Sequence, residues 1–377
     1  MAVGAAALLL AAGCSSSSSS ASSGGSADSG VSASSGVAYA TAQIAKYSVD
    51  PAKLAAPGPA IKGARAALQG KKIYYIPLLQ SIPNFNIIGQ GFAAGAKALG
   101  ASTTVCDGGA NPTSVSNCIN QAINTDAAAI VICGFPTSFA PTALASAKSH
   151  NVPVLVMGEE GGLGDDQMSY LPNQQTMQEA LAADTIIKQS NGAAHVIIAE
   201  ADDNSQSIGW VQNGAVPEFK KYCPKCDVTV MPFNSTKLQT DVPPQVSTEL
   251  LQHPGTDYIL SEFDTYIPAI LQGVQSSHAT GIKITGTTGI LSGLQRMKAG
   301  QLETADVGSN FYEYGWLGTD QLARMMTKNP PTEHPMGIKV FTPDNIKGLN
   351  LTTQDQNDGS WFGSSAEWKT TLTQLWQ

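Results

Sequence analysis

Residues 128–157 read AAIVICGFPTSFAPTALASAKSHNVPVLVM. The stretch opens on Ala128-Ala-Ile-Val-Ile-Cys133 and closes on Val152-Pro-Val-Leu-Val-Met157, two short apolar runs without polar alternation. A strand with no polar alternation is buried on both faces, which happens when helices cover both sides of a parallel sheet. Residues 141–149 between them are expected to form a helix. Working outward, Lys72-Ile-Tyr-Tyr-Ile-Pro77 is another apolar strand. A helix over 86–99 stops at Gly100, a strand follows at 102–106, and a helix at 112–124. Four strand–helix repeats make one doubly wound half.

The pattern then restarts. Helices are expected at 176–189, 207–221, 241–252 and 266–276. Strands are expected at 194–199, 228–232, 258–260 and 283–286. Two consecutive halves of similar size predict an α/β fold of two doubly wound parallel-sheet lobes. Ligands bind at the carboxyl ends of parallel strands, so the cleft between the lobes is the natural site. About 300 residues beyond the N-terminal region suit two such lobes.

The N-terminal region reads differently. Residues 1–10, MAVGAAALLL, are too short an apolar run for a span, which needs about 20 residues, and match the core of a secretory leader. Ala11-Ala12-Gly13-Cys14 resembles a bacterial lipobox, in which the cysteine thiol carries a lipid. Two features depart from it: no Lys or Arg precedes the apolar core, and Ala11 stands where Leu is usual. Residues 15–36 are almost all Ser, Gly and Ala, a flexible tether. Residues 37–68 form an Ala- and Pro-rich lead-in expected to pack loosely.

Composition narrows the function. Charged residues are only 13% and net charge is -8, which disfavours nucleic acid, whose phosphates need a basic face. Low charge with abundant Gly, Ser, Thr and Asn fits an extracytoplasmic protein. An oxidising compartment permits disulfides. Cys223-Pro-Lys-Cys226 lies between a helix and a strand rather than opening a helix, so a local disulfide is expected over a redox motif. Cys106 ends one strand and Cys118 lies about two turns into the next helix, so these two are expected to bridge. Cys133, inside an apolar run, is expected to be a buried thiol without chemistry.

The segment Lys72-Ile-Tyr-Tyr-Ile-Pro77, with Pro83-Asn-Phe85, Gly91, Gly95 and Gly100, resembles the first strand–helix of ribose-type periplasmic binding proteins of type I fold. Asp107 with Asn111-Pro112, Asn151-Val-Pro153, Asn173, Tyr258-Ile-Leu-Ser-Glu-Phe-Asp264 and Gly286-Thr-Thr-Gly289 continue the likeness in order, over about 71–345. The resemblance implies three interlobe crossings, near 172–173, 308–310 and 333–339. It places lobe one at 71–173 with 309–335, and lobe two at 174–308 with 336–345. Residues 1–14 are then leader, 15–70 tether and lead-in, and 346–377 a C-terminal tail whose aromatics pack on a surface.

By the same resemblance the chain is the solute-binding component of an ABC-type importer, a lipid-anchored monomer handing a small polar ligand, sugar or sugar-like, to a membrane permease. The resemblance gives Phe85 a stacking role and Asn84 an amide aimed at the ligand. Asp107, Phe135, Glu159 and Asn310 are further candidates around lobe one and its crossings, and Asn204, Ser205, Trp210, Phe263, Asp264 and Thr288 in lobe two. Asp264 equally suits a helix N-cap. Ribose-type binders usually place Arg at Glu159, an acid at Thr288 and Asn at Phe263, so the resemblance carries the fold and not the ligand.

Enzyme readings find little. His150, His195, His253, His278 and His334 lack metal-ligand spacing, and no metal or cofactor is expected. No G-x-S-x-G elbow or P-loop occurs. Glu159-Glu160 and Asp202-Asp203 are paired acids that would suit glycoside chemistry, but adjacent loop residues point apart. A ligand-presenting sensor for a membrane receptor is the alternative to an importer component.

Overall fold

The computed structural model describes residues 32–51, 56–159 and 161–377. The expected leader, Cys14 and almost all of the expected tether lie outside the described residues. The chain enters with helices α1 (Ala33–Tyr47) and α2 (Ala64–Leu68). The first sheet comprises β1 (Lys72–Pro77), β2 (Ser102–Val105), β3 (Ala129–Cys133), β4 (Val154–Met157) and β5 (Met168–Leu171). Its helices are α3 (Pro83–Ala98), α4 (Pro112–Asn124) and α5 (Pro141–Ser149). Each starts on a proline, tolerated in the first turn because an N–H there has no helical partner.

All strands of this sheet pair in parallel, in the order β2-β1-β3-β4-β5. Both faces are covered, as the unbroken apolar runs require. Ile73, Tyr75, Ala129 and Val131 enter one core cluster, and Tyr74, Ile76, Ile130 and Ile132 enter the other.

The second sheet comprises β6 (His195–Ala201), β7 (Asp227–Phe233), β8 (Tyr258–Ser261), β9 (Lys283–Thr288), β10 (Glu303–Ser309) and β11 (Ile338–Phe341). Helices α6 (Gln175–Gln189), α7 (Ser205–Asn213), α8 (Ala215–Tyr222), α9 (Leu238–Gln252), α10 (Ile267–Ser277) and α11 (Leu291–Lys298) flank it. The order β7-β6-β8-β9-β10 repeats that of the first sheet, and β11 adds an antiparallel edge beside β10. The single helix expected at 207–221 is two, broken at Gly214. A β-carbon there would lie 2.4 Å from the Thr176 carbonyl oxygen, so the break lets α6 approach closely. Strands β5, β10 and β11 were not expected. They are short or, in Glu303-Thr-Ala-Asp-Val-Gly-Ser309, too polar to read as buried strands.

Helix α12 (Phe311–Met326) returns to the first lobe and packs along α3. A β-carbon at Gly91 would lie 2.1 Å from the Tyr312 carbonyl oxygen, and one at Gly315 2.2 Å from that of Ile88, so glycine on both helices permits the approach.

The two ends of the chain are integral to the lobes. In α1, Ala40 and Ile44 are buried in the second lobe, and Tyr39 stacks on Tyr222 with ring centroids 3.7 Å apart. The lead-in is therefore docked, not loose: its apolar positions Ala40 and Ile44, four apart, form a buried stripe on one helix face. The tail helices are α13 (Thr353–Asp358) and α14 (Ser365–Leu375). Between them Trp361 and Phe362 pack with Phe341 in the second lobe, while Trp368, Leu372 and Trp376 enter the core of the first. Besides the three crossings, both the lead-in and the tail thus link the lobes. They meet at a buried group: Asp320 accepts from Arg324 (2.8 Å), His334 (2.9 Å) and Trp376 Nε1 (2.7 Å), and Arg324 donates to the Pro59 carbonyl. Burial alone would raise the Asp320 pKa, but these donors outweigh it and hold the carboxyl below its usual value.

Disulfides join Cys106 to Cys118 and Cys223 to Cys226, with Cα separations of 5.8 and 5.3 Å. Cys133 is free and buried, and burial pushes its thiol up to about 12, so it stays protonated.

Candidate functional site

A cavity of about 330 Å³ lies between the lobes, at the carboxyl ends of both sheets. The turn after β1 and the start of α3 contribute Leu78, Asn84 and Phe85. The ends of β3 and β4 contribute Gly134, Gly158 and Glu159. From lobe two come Asn204, Ser207 and Trp210 after β6, Phe263 and Tyr266 after β8, and Thr288 at the end of β9. The crossings supply Asn173, Gln175, Gln178, Phe311 and Tyr314.

Each wall has a local cause. Gly134 has φ +81°, a conformation that suits glycine, and a β-carbon on it would lie 2.3 Å from the Phe85 ring. The Phe85 ring thus rests against bare backbone, and its carbonyl accepts from the Tyr75 hydroxyl at 2.8 Å. Tyr314 ties strand ends together: its hydroxyl accepts from the Gly158 amide at 2.7 Å and donates to the Leu171 carbonyl. Asn173 donates to the Gly158 carbonyl at 3.1 Å and accepts from the Gln175 amide. Across the cleft, Gln206 of lobe two donates to the Glu159 carboxylate of lobe one.

Lobe two presents an aromatic wall. Phe263 meets Trp210 edge-on at 6.1 Å and Tyr266 at 5.3 Å. Trp210 Nε1 is buried without a hydrogen-bond partner, and so is Gln178 Oε1. The Gln178 amide is fixed by donating to Gln175 Oε1 at 3.0 Å, and Gln175 in turn donates to Thr287 Oγ1 at 2.8 Å and to Glu179. Behind this layer Glu262 accepts from the Ala201 amide at 3.0 Å. Burial, only partly opposed by hydrogen bonds from Ser207 and Ala201, pushes Glu262 up to about 7.

Of the residues expected from sequence, Asn84, Phe85, Glu159, Asn204, Trp210, Phe263 and Thr288 line this cavity. Five lie elsewhere. Asp107 turns back to accept from the Gln80 and Gly109 amides, fixing the loops after β1 and β2. Phe135 follows the left-handed Gly134, is 1% exposed, and stacks on Phe139 in the helix-covered core. Ser205 is exposed at the start of α7. Asn310 caps α12 by accepting from the Glu313 amide. Asp264 is fully buried and accepts from the Ile290 amide at 2.9 Å.

Sequence reading missed Gln175, Gln178, Tyr266, Phe311 and Tyr314. A signal existed: Gln175 and Gln178 share a helix face just after the first crossing, and Phe311 and Tyr314 do so just after the second.

Asp264 forms, with Glu303 and Asp306, the one group among the described residues whose carboxylate oxygens converge as a metal would need, within 4.8 Å. Arg296 already pairs with Glu303 at 2.9 Å. Three carboxyls against one guanidinium retain protons: burial and mutual repulsion hold Asp306 well above its ordinary value and raise Glu303 to about 9. The paired acids Asp202 and Asp203 are exposed, and Asp203 accepts from the Ser235 amide and hydroxyl at 2.7 Å.

Two doubly wound lobes of matching strand order, closing a cavity at the carboxyl ends of both sheets, define a two-lobed small-ligand receptor. Residues 73–330 match the family described as periplasmic binding protein domain. The chain belongs to that family. No curated protein matches the sequence.

Solved structures share the fold at low identity. A 5-methylthioribose transporter solute-binding protein from Thermotoga lettingae, in complex with 5-methylthioribose, superposes with TM-score 0.67 at 14% identity, over 84% of this chain and 99% of that one. An ABC transporter solute-binding protein from Agrobacterium vitis, bound with α-D-tagatopyranose, gives 0.65 at 19%, over 74% and 96%. A periplasmic ribose ABC transporter from Conexibacter woesei gives 0.65 at 16%, over 80% and 99%.

Proposed function

We propose that this chain is the ligand-capturing component of an ABC-type importer, binding one small hydroxylated ligand, a sugar or sugar-like molecule, between its lobes. The observation that carries the reading is the interlobe cavity itself. It is bounded by Phe85 from one lobe and Trp210 and Phe263 from the other, with Trp210 Nε1 and Gln178 Oε1 buried and unpartnered. Aromatic faces cover the C–H surface of a sugar ring, and a ligand hydroxyl both accepts from an N–H and donates to a carbonyl. Family membership and the bound sugars of the structural neighbours support the same class. The chain acts by binding rather than catalysis, outside the cytoplasmic membrane, as a monomer held by lipid on Cys14. No helix of the described residues is long and apolar enough to cross a membrane.

Thermal shift over sugars, polyols, nucleosides and amino acids tests the ligand class, because a ligand that binds only the folded form raises the melting temperature. A sugar or polyol is expected to do so. A response confined to amino acids would overturn the class, and no response from any compound would overturn the receptor reading. For the anchor, Cys14→Ser is expected to release the expressed protein from membranes, and unchanged partitioning would sink it.

A further inference from the structure

We infer that the ligand is a hydroxylated amine, an amino sugar or aminopolyol, carried with its ammonium group beside the Glu159 carboxyl in the aromatic-walled cavity. The inference rests on the sugar-like reading above and narrows it. Among the described residues that line the cavity, one has a carboxyl side chain, Glu159. None is Lys, Arg or His. A buried anionic ligand needs a cationic partner or loses its hydration without compensation, so a carboxylate or phosphate ligand has no counter-ion here.

The deeper shell is acidic too, although burial raises Glu179 well above its ordinary value and Glu262 to about 7, so it supplies hydrogen-bonding carboxyls rather than full negative charge. Glu179 and Glu262 are fully buried directly behind the lining, Glu179 accepting from Gln175, and each keeps one carboxylate oxygen without a partner. Asp202 and Asp203, at the end of β6, are exposed acids.

The apolar part of the wall fits a cation as well. Faces of Phe, Tyr and Trp attract a positive charge through the ring quadrupole, most strongly where water is excluded. Phe85, Trp210, Phe263, Tyr266, Phe311 and Tyr314 line the cavity from both lobes and the crossings. The two unpartnered lobe-two atoms add the hydroxyl requirement. Trp210 Nε1 donates and Gln178 Oε1 accepts, and a hydroxyl satisfies both. Gln206 donates a hydrogen bond to the Glu159 carboxyl across the cleft.

The test is calorimetric titration of the full chain in detergent with matched triplets. Each scaffold, a pentose, a hexose and a linear polyol, is offered in neutral, amino and carboxylate form. The amino member of at least one scaffold is expected to bind tenfold or more tighter than its neutral counterpart, and the carboxylate member not at all. That preference is expected to shrink with rising salt in the wild-type protein, and to fall at least tenfold in Glu159→Gln, with Glu159→Asp recovering part of it. The salt series needs no variant, so a Glu159→Gln protein that fails to fold leaves the inference exposed to refutation. If every scaffold that binds prefers its neutral form, or if a carboxylate form binds, the amine inference falls and the sugar-receptor reading stands. If no scaffold binds in any form, both fall.

Discussion

The ring of Phe85 lies directly on Gly134, so close that a β-carbon on Gly134 would sit 2.3 Å from ring carbons Cε1 and Cζ. Position 134 has φ +81°, so alanine there would be strained as well as crowded. Gly134→Ala is expected to push Phe85 into the cavity and to cost about 1–3 kcal/mol of stability. Phe85→Ala should leave the fold intact and forfeit apolar contact with ligand, about 1–3 kcal/mol, or ten- to hundredfold in affinity. Titration with a confirmed ligand, alongside melting of the free proteins, checks both. Unchanged affinity with a large fall in melting temperature would assign Phe85 to the core.

Trp210 Nε1 has no partner in the free protein. Trp210→Phe keeps a ring against Phe263 and removes a buried donor whose isolation is unfavourable. Melting of the free protein is expected to change little, while affinity falls roughly three- to tenfold, the worth of about 1 kcal/mol for one hydrogen bond. A loss of stability without loss of affinity would remove Trp210 from the ligand.

The cluster of Asp264, Glu303 and Asp306 predicts a pH dependence. Burial is the first cause in each case, raising Asp264 to about 6 and Glu303 to about 9. A carboxyl whose folded pKa is raised binds more protons folded than unfolded. Its contribution is fully present below the unfolded value near 4, and is lost as pH rises through the folded value. Asp184, raised to about 8, and Glu313, raised to about 7, act in the same direction. Melting temperature is therefore expected to fall between about pH 5 and pH 9. The loss for Asp264 alone is on the order of 3 kcal/mol. Asp306→Asn should flatten the slope, and a melting temperature that rises over this range would refute the assignment.

Trp376 stacks on Trp316 at 5.6 Å and donates to Asp320. Trp376→Ala is expected to cost about 3–5 kcal/mol, from the lost ring and from a buried carboxylate left short of one donor. Urea unfolding measures it. A cost below about 1 kcal/mol would mean that the tail is an appendage after all.

The Cys106–Cys118 bridge closes a loop of sequence separation 12. Reduction is expected to cost about 3 kcal/mol by chain-entropy reckoning. Alkylation of the folded, unreduced protein should leave Cys133 unmodified, since it is buried and its thiol is pushed up to about 12. Rapid modification of Cys133 would contradict its burial.

The amino-acid sequence alone determined the repeat of two parallel α/β lobes. Runs such as Ala129–Cys133 and Val154–Met157 carry the signature of burial on both faces, a property of a strand's own residues. The sequence also located the strand ends, and with them Glu159, Phe263 and Thr288, because the residue following a buried parallel strand emerges at the crevice; Phe85 and Trp210 stand on the helices that come next, α3 and α7. It did not determine which way each side chain turns once there. Phe135 and Asp264 also follow strands, yet one is carried into the core beyond the left-handed Gly134 and the other is drawn inward by the Ile290 amide.

Only the tertiary structure brought Gln175, Gln178 and Tyr314 to the cavity, since they stand on helices that reach it by crossing between lobes. The tertiary structure likewise decided the fate of the chain ends. Tyr39 meets Tyr222, and Trp376 meets Trp316 and Asp320, through contacts between residues remote in sequence. A local pattern announces an apolar face, but its partner is chosen by where the rest of the chain has left an apolar surface uncovered.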